Sequence, residues 1–471
     1  MTRSTTLGNT QLLQRIAASL LPITRLEGRA ERYELAQRMA HYAVPGFSAA
    51  LFDDGKLVAA AAIGRIDARD ATPIDVETAF QAASMSKVVA AFVALQLVAD
   101  GVLSLDEDVN ATLRSWRVPE NDFTKVRPVT LRRILAHRAG LTVHGFSGHA
   151  APAPLPSLPD VLSGRAANGP VFVDVAPDSL HRYSGGGTTI AQLLIEDVTG
   201  RAFADVAHER VFAPLGLERT TFAIPLPATV AANAAHRHDI AGVPTPEPWL
   251  YFPQTAAAGL WTTPIEYGRF FAEIRDAWHG RSALLDRESA RAMLTRGYGD
   301  LRGLGPMVYG DGASLRFFHD GNNSGFHCAA AMYVDGGQGY VVMANGQQGP
   351  SLWREYVAGA ADICRWPDYL EAPQRVWPMD QNELERFAGD YVGIGDDAGV
   401  PIRIRIDGDV LRGGVAGTLE NDFIAIGPRE FRSQRTPYLT RFDVREDGRV
   451  AGFVVLEDGD PLLRAARRER Q

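Results

Sequence analysis

Ser84 and Lys87 stand three residues apart at the head of a segment that is almost wholly apolar. If that segment is a helix, the hydroxyl and the amine share one face about one turn apart. A serine hydroxyl becomes a useful nucleophile when a neighbouring base takes its proton. Lysine can be that base if its pKa falls from about 10.4 toward about 7–8. Burial disfavours the ammonium form, and the positive end of the helix dipole acts the same way. The helix start also carries free backbone N–H groups, and that of Ser84 is one candidate oxyanion donor. S-x-x-K alone can equally be a helix cap followed by a surface lysine. Context argues otherwise: Val88 to Ala99 holds a single polar residue, Gln96, so a lysine at its head needs a partner or a neutral state.

Two further groupings could join this pair. Tyr183-Ser184-Gly185 runs into Gly186-Gly187 and a helical stretch. A tyrosine beside a serine–lysine pair can relay a proton to a leaving group; the plain alternative is a capped turn with a packing tyrosine. The glycines do not make a phosphate loop, because no lysine follows in the required place. His319-Asp320-Gly321 ends a short strand, Leu315 to Phe318, ahead of an expected turn at Asn322-Asn323-Ser324-Gly325. It reads either as a simple hairpin or as an edge strand carrying His319 beside the nucleophile, with the Asn322 N–H as second oxyanion donor. His236-x-His238 has the spacing of a metal pair but no third ligand beside it, so a loop pair is the reading and no metal or cofactor is expected. His137 is taken as structural.

The elements that must position these residues follow from local pattern. Gly46 to Ile63 reads as a hairpin turning at Asp53-Asp54-Gly55. The Val88–Ala99 run, apolar all round, reads as a central helix stopped by Asp100-Gly101. Helices are predicted over Thr189–Val198, Pro264–Trp278 and Arg287–Leu294, and strands over Leu315–His319, Phe326–Val334 and Tyr340–Ala344. The expected fold is α/β (α+β): one antiparallel sheet completed by both ends of the domain, flanked by helices, with an all-helical lobe. Pro367, Pro373 and Pro378 mark a linker over 366–380. Beyond it Ile402-Arg403-Ile404-Arg405-Ile406 alternates with period two, and turn pairs such as Asp447-Gly448 and Asp458-Gly459 recur. That pattern predicts a small antiparallel barrel over 381–471. The domains expected are thus a helical segment over 1–40 packed on the catalytic domain, a catalytic domain over 41–365, the linker and the barrel.

Composition narrows the class. The chain of 471 residues is 46% hydrophobic and 22% charged, with a net charge of -8, which offers no electrostatic reason for nucleic acid or an anionic membrane. The basic end (Arg464, Arg467, Arg468, Arg470) reads as a solvated tail. Cys328 and Cys364 sit in apolar surroundings and read as buried free thiols, in keeping with a reducing compartment. Leu12 to Ile23 is interrupted by Gln14 and Arg15 and reads as an amphipathic helix rather than a signal, so a cytoplasmic address is expected. The expected partner is a small-molecule or peptide substrate.

The three groupings, in this order, resemble the S-x-x-K, S-D-N and K-T-G series of class A enzymes and penicillin-binding proteins. With Y-S-G and H-D-G as second and third elements, the chain is similar to the class C β-lactamase-related serine hydrolases, which include D-peptidases, esterases and transesterases. Leu135–Leu141 (LAHRAGL), Ala257–Pro264 (AAGLWTTP) and Gly321–Phe326 also resemble segments of that family, over about residues 40 to 365, and the tail resembles its appended lipocalin-like domain. The resemblance implies that Ser84 forms an acyl-enzyme, Lys87 deprotonates it, Tyr183 acts as general base and acid, and His319 supports the oxyanion and the tyrosine's charge state. Gly185, Gly321 and Asn323 are the implied substrate-binding positions, and His144, which flanks the site segment, is expected to line the pocket. Two departures bear on substrate. Gly185 stands where β-lactam binders carry Asn, and His319 stands where lactamases carry Lys, which favours esters or uncharged amides over β-lactams. The implied function is an acyl-enzyme hydrolase of a small ester or a D-residue peptide. Alternatives are an acyltransferase or peptide cyclase releasing the acyl group to an amine or alcohol, a non-turnover penicillin sensor and a true β-lactamase.

Overall fold

The computed structural model describes residues 5–166, 168–298, 300–395, 398–415, 420–457 and 459–468. Asp458 and Arg470, named above, lie outside them. The chain forms two compact units, Met1–Gln14 with Met39–Trp353, and Arg15–Arg38 with Arg354–Gln471.

In the first unit the early hairpin is β2 (Gly46–Asp53) and β3 (Lys56–Gly64), with β1 (Thr6–Gly8) added outside β3. Asp54 (φ 47) and Gly55 (φ 69) supply the paired left-handed residues that a two-residue hairpin turn requires. A separate two-stranded ribbon joins β4 (Phe80–Ala83) to β5 (Leu260–Thr262). The late strands are β6 (Met307–Tyr309), β7 (Arg316–Asn323), β8 (Phe326–Tyr333) and β9 (Gly339–Ala344). Together they make an antiparallel sheet in the order β1-β3-β2-β9-β8-β7-β6, so the two ends of the unit meet in its middle, at β2 and β9. The structure corrects one local expectation. β7 does not stop at His319 but continues through Asn323, because Asn322 and Asn323 pair with His327 and Phe326 of β8. Only Ser324 and Gly325 (φ 77) are left to turn.

The apolar run forms the Ser86–Ala99 helix, and every residue from Ser86 to Leu97 is buried. Its one internal polar side chain is satisfied in part: Gln96 Nε2 donates to Leu284 O at 2.8 Å. A second buried helix, Gly185–Thr199, is capped by Ser184, whose Oγ accepts from Gly187 N at 2.9 Å. Among the described residues no helix is long and apolar enough to cross a membrane.

In the second unit eight strands close an antiparallel barrel: β10 (Gly389–Ile394), β11 (Pro401–Asp407), β12 (Val410–Val415), β13 (Asn421–Ala425), β14 (Glu430–Arg432), β15 (Leu439–Val444), β16 (Val450–Glu457) and β17 (Asp460–Arg467). Closure removes the open edges that a sheet this small would otherwise present. Ile402 and Ile404 turn inward while Arg403 and Arg405 turn out. Aromatic rings fill the interior, with Phe387 against Phe442 at 4.9 Å and Tyr391 against Phe453 at 5.0 Å. The expected solvated tail is instead part of this wall: Arg464 and Arg467 lie in β17, and Arg467 donates to the carbonyls of Arg386 and Ala388.

Residues 15–38 belong to this unit through specific bonds. Leu20 bridges Tyr33, Ile23 N donates to Gln434 O at 2.9 Å, and Arg38 grips Glu355 with two nitrogens at 2.7 and 2.6 Å. Glu355 is 1% exposed, and a buried carboxylate stripped of its partner is costly. Arg38→Met is expected to destabilise the protein by about 3–5 kcal/mol, measured by denaturant unfolding.

Candidate active site

Ser84 sits between the last residue of β4 and the first turn of the buried helix. Ala83, just before it, is held at φ 48, a conformation costing an L-residue roughly 1–2 kcal/mol. Ser86 fastens this corner: its Oγ donates to Ala83 O and accepts from Leu260 N at 3.0 Å. Among the described residues the Ser84 N–H has no hydrogen-bond acceptor, so one backbone donor stays open beside the hydroxyl.

Lys87 is 4% exposed. Its Nζ lies 3.0 Å from Ser84 Oγ and 2.8 Å from Ala257 O. Burial pulls its pKa from 10.5 down to about 7, against the opposing pull of the Asp320 carboxylate. The Ala257 carbonyl is aimed from a single helical turn, Thr255–Ala258, held from two sides. Gln192 Oε1 accepts from Ala256 N at 3.0 Å, and Asn323 Nδ2 donates to Ala258 O at 3.2 Å. Sequence reasoning missed Ser86, Gln192 and the Ala257 carbonyl; the one pointer to the last was the AAGLWTTP segment.

Tyr183 lies half-buried with its ring 4.9 Å from Lys87 Nζ. Burial pushes its phenol well above the ordinary value, so it stays neutral. His137 fixes its backbone on both sides. The His137 carbonyl accepts from Arg182 N at 2.9 Å, its Nδ1 accepts from Ser184 N at 3.2 Å, and its ring stands 4.3 Å from the Tyr183 ring. Burial drives the His137 pKa well below the usual range, which keeps Nδ1 free to accept. The structural reading of His137 thus becomes a positioning one.

His319, Gly321 and Asn323 share the inward face of β7, while Asp320 and Asn322 point the other way. His319 is 3% exposed, and burial lowers its pKa to about 4. Its Nδ1–H donates to the Asp320 carbonyl at 2.6 Å, so Nε2 is left as an acceptor. Support of an oxyanion needs a donor, and this ring does not present one at Nε2. Gly321 admits no side chain, since a Cβ there would lie 2.1 Å from Ala82 O; β7 and β4 are thereby brought together. Asn322 is exposed and its Oδ1 accepts from His327 Nδ1 at 2.6 Å, so its side chain is engaged on the outward face of β7. Asn323 is spent on Ala258 O and holds the Ala257 turn rather than an open pocket.

Gly185 begins the second buried helix, where a Cβ would meet the Phe146 ring at 2.8 Å and His144 O at 3.0 Å. Its N–H donates to that same carbonyl at 3.0 Å. The absent carboxamide is therefore replaced by a loop packed into its space. That loop brings the His144 ring to 4.9 Å from the Tyr183 ring. His236 and His238 lie apart from this cluster, bonded to Asp67 and to Asn345 O and Ala68 N. Cys328 is buried and free, its Sγ 3.1 Å from Ala82 O, and Cys364 is half-buried.

A hydroxyl, a buried amine and a phenol thus meet at one place in an α/β scaffold. Residues 34–363 match the Beta-lactamase family, and the chain belongs to that family. Penicillin-binding protein 4 of Amycolatopsis lactamdurans is 27% identical over 384 residues, 77% of this chain and 96% of that protein. Teichoic acid D-alanine hydrolase of Staphylococcus aureus is 22% identical over 228 residues, 48% of this chain and 54% of that protein. Among solved structures, SurE with D-Leu superposes with a TM-score of 0.59 at 21% identity, covering 92% of this chain and 97% of that one. D-amino acid amidase from Ochrobactrum anthropi SV3, complexed with L-phenylalanine, gives a TM-score of 0.55 at 22% identity, covering 70% and 98%. The structures share the fold. The chain is accordingly a serine hydrolase or acyltransferase in the broad sense of its family.

The depressed Lys87 pKa also bears on stability. Below about pH 7 the amine is charged in both folded and unfolded chains, and its burial costs the fold about 5 kcal/mol in full. Between about 7 and 10.5 only the unfolded chain holds the proton, so stability climbs with pH and the cost is gone near 10.5. Lys87→Met is therefore expected to be more stable than wild type at pH 6, with the two converging toward pH 10.5. Denaturant melts across that range check it, and a constant gap would refute it.

Proposed function

We propose that the protein cleaves an ester or amide bond next to a D-residue through an acyl-enzyme on Ser84, with Lys87 as base. One observation carries the reading: a buried amine, near neutrality at pH 7, 3.0 Å from a serine hydroxyl. Neutral Lys87 takes the Ser84 proton as Oγ attacks the carbonyl carbon. The oxyanion that forms is received by the Ser84 and Asn322 N–H groups, where exclusion of water strengthens each donor. On collapse Tyr183 gives its proton to the departing nitrogen or oxygen and regains one from the Lys87 ammonium, which returns the base to neutrality. The raised phenol pKa suits Tyr183 to donating from the neutral form, not to resting as a phenolate. His319 acts on this relay as a neutral neighbour. The D-residue preference is drawn from the relatives, whose names include a D-alanine hydrolase and a D-amino acid amidase.

A second nucleophile reaching the acyl-enzyme would make the same site a transferase, and product ratios with and without an added amine separate the two. A fluorophosphonate is expected to leave a single adduct, on Ser84 by peptide mapping. Lys87→Ala is expected to lower ester turnover by about 10²–10⁴-fold, and survival within tenfold would remove Lys87 as base. For wild type, kcat/KM should rise with pH through about 7 as Lys87 loses its proton.

Penicillin turnover should be slow or absent, and Gly185→Asn should fail to create it, because the new side chain collides with Phe146 and the His144 carbonyl. Rapid hydrolysis by either form would overturn this account of Gly185.

A further inference from the structure

The Lys87 amine has a geometric need that burial alone does not meet. To take a proton it must aim its lone pair at Ser84 Oγ, and rotation about the Cε–Nζ bond offers several staggered settings. Among the described residues its hydrogen-bond partners are Ser84 Oγ and the Ala257 carbonyl. A neutral amine that donates one N–H to Ala257 O loses most of that rotation. The carbonyl therefore narrows where the lone pair points.

That carbonyl sits on a weak element. The Thr255–Ala258 turn is four residues long, too short to hold itself. Its own bonds run from Ala257 N and Ala258 N to Gln254 O, at 3.0 and 3.2 Å. The Ala256 N–H is one of the donors that a helix start leaves open, and Gln192 Oε1 accepts it at 3.0 Å.

Gln192 is fixed from behind for this contact. It is 3% exposed, on the Gly185–Thr199 helix. Its Nε2 donates to Pro253 O at 3.2 Å and to Glu196 Oε1 at 3.1 Å. A carbonyl and a carboxylate only accept, so the amide nitrogen lies on their side and the oxygen faces Ala256. Glu196, one turn further along the same helix, is itself anchored by the Phe203 N–H at 3.1 Å, and Phe203 is fully buried. The helix is capped by Ser184, the residue after Tyr183. One rigid element thus sets both the phenol and the acceptor that orients the amine.

Resting on the Ser84–Lys87 reading above, we propose that Gln192 is a positioning residue for the base: through Ala256 and the Ala257 carbonyl it turns the Lys87 lone pair toward Ser84 Oγ. Glu196 holds the Gln192 amide in the orientation this needs. A glutamine that merely fills the core would stabilise the fold and leave the titration of the base where it was.

The test is the rate at which a neutral fluorophosphonate labels Ser84, followed by intact mass across the pH range of the Lys87 titration. In wild type the rate should rise through about pH 7. Gln192→Met keeps the length and removes both polar atoms. Its plateau rate should fall at least about tenfold. Its midpoint should move up toward 10.5, because a loosened turn admits water to an amine whose low value comes from burial. The final extent of labelling reports the folded fraction, so the rate is read separately from it. A plateau within about threefold of wild type, or a lower plateau with the midpoint unmoved, overturns the inference. Glu196→Leu, at a half-buried position, should move the midpoint the same way, and it decides the matter if Gln192→Met does not fold. Loss of a negative charge alone would move the midpoint down, so an upward move reports the turn, and an unmoved or lowered midpoint counts against the inference. Absence of any label on wild-type Ser84 sinks the nucleophile reading itself; wild-type kinetics in both variants sink only the role of Gln192.

Discussion

A lysine amine enclosed at the head of a buried helix is the constraint from which the rest of the site follows. Removing an ammonium from water is expensive, and the interior offers Lys87 one hydroxyl, one carbonyl and an aromatic face instead of a carboxylate in contact. The amine therefore gives up its proton near neutrality. The stability lost by enclosing this amine is what leaves it near neutrality at pH 7.

The same dryness sets the state of every other group nearby. His137 and His319 are kept neutral by burial, and Tyr183 and the Cys328 thiol are kept protonated by it. A site without mobile charges makes the fixed backbone dipoles count for more. It also makes position decisive, which explains how much of the surrounding sequence is spent on holding rather than reacting. Ser86 ties the corner before Ser84, Asn323 and Gln192 hold the turn that aims the Ala257 carbonyl, and His137 clamps the chain around Tyr183.

Much of this scaffold is legible in local pattern. The hairpin around Asp54-Gly55, the Ser86–Ala99 helix, the Pro264–Trp278 helix and the barrel strands follow from turn chemistry and periodicity. Those signals act over a few residues and survive any packing. The end of β7 escapes such reading for the opposite reason. Asn322 and Asn323 favour turns in isolation, yet pairing with β8 draws them into the strand. The basic C-terminal run escapes it likewise, since barrel closure gives Arg464 and Arg467 a place in β17.

By itself the sequence determined which residue types could react: a serine and a lysine one helical turn apart, a tyrosine before a glycine-rich helix start, and a histidine ahead of Asp-Gly. Spacing along a helix or strand is local geometry, so these pairings could be read without the fold. Tertiary structure alone decided that Gly185 is filled by Phe146 and the His144 carbonyl, that Asn323 is a brace, and that Gln192 reaches the turn beside Lys87. Each depends on segments far apart in the chain meeting at one point, and no local pattern encodes which polar groups become partners once they meet.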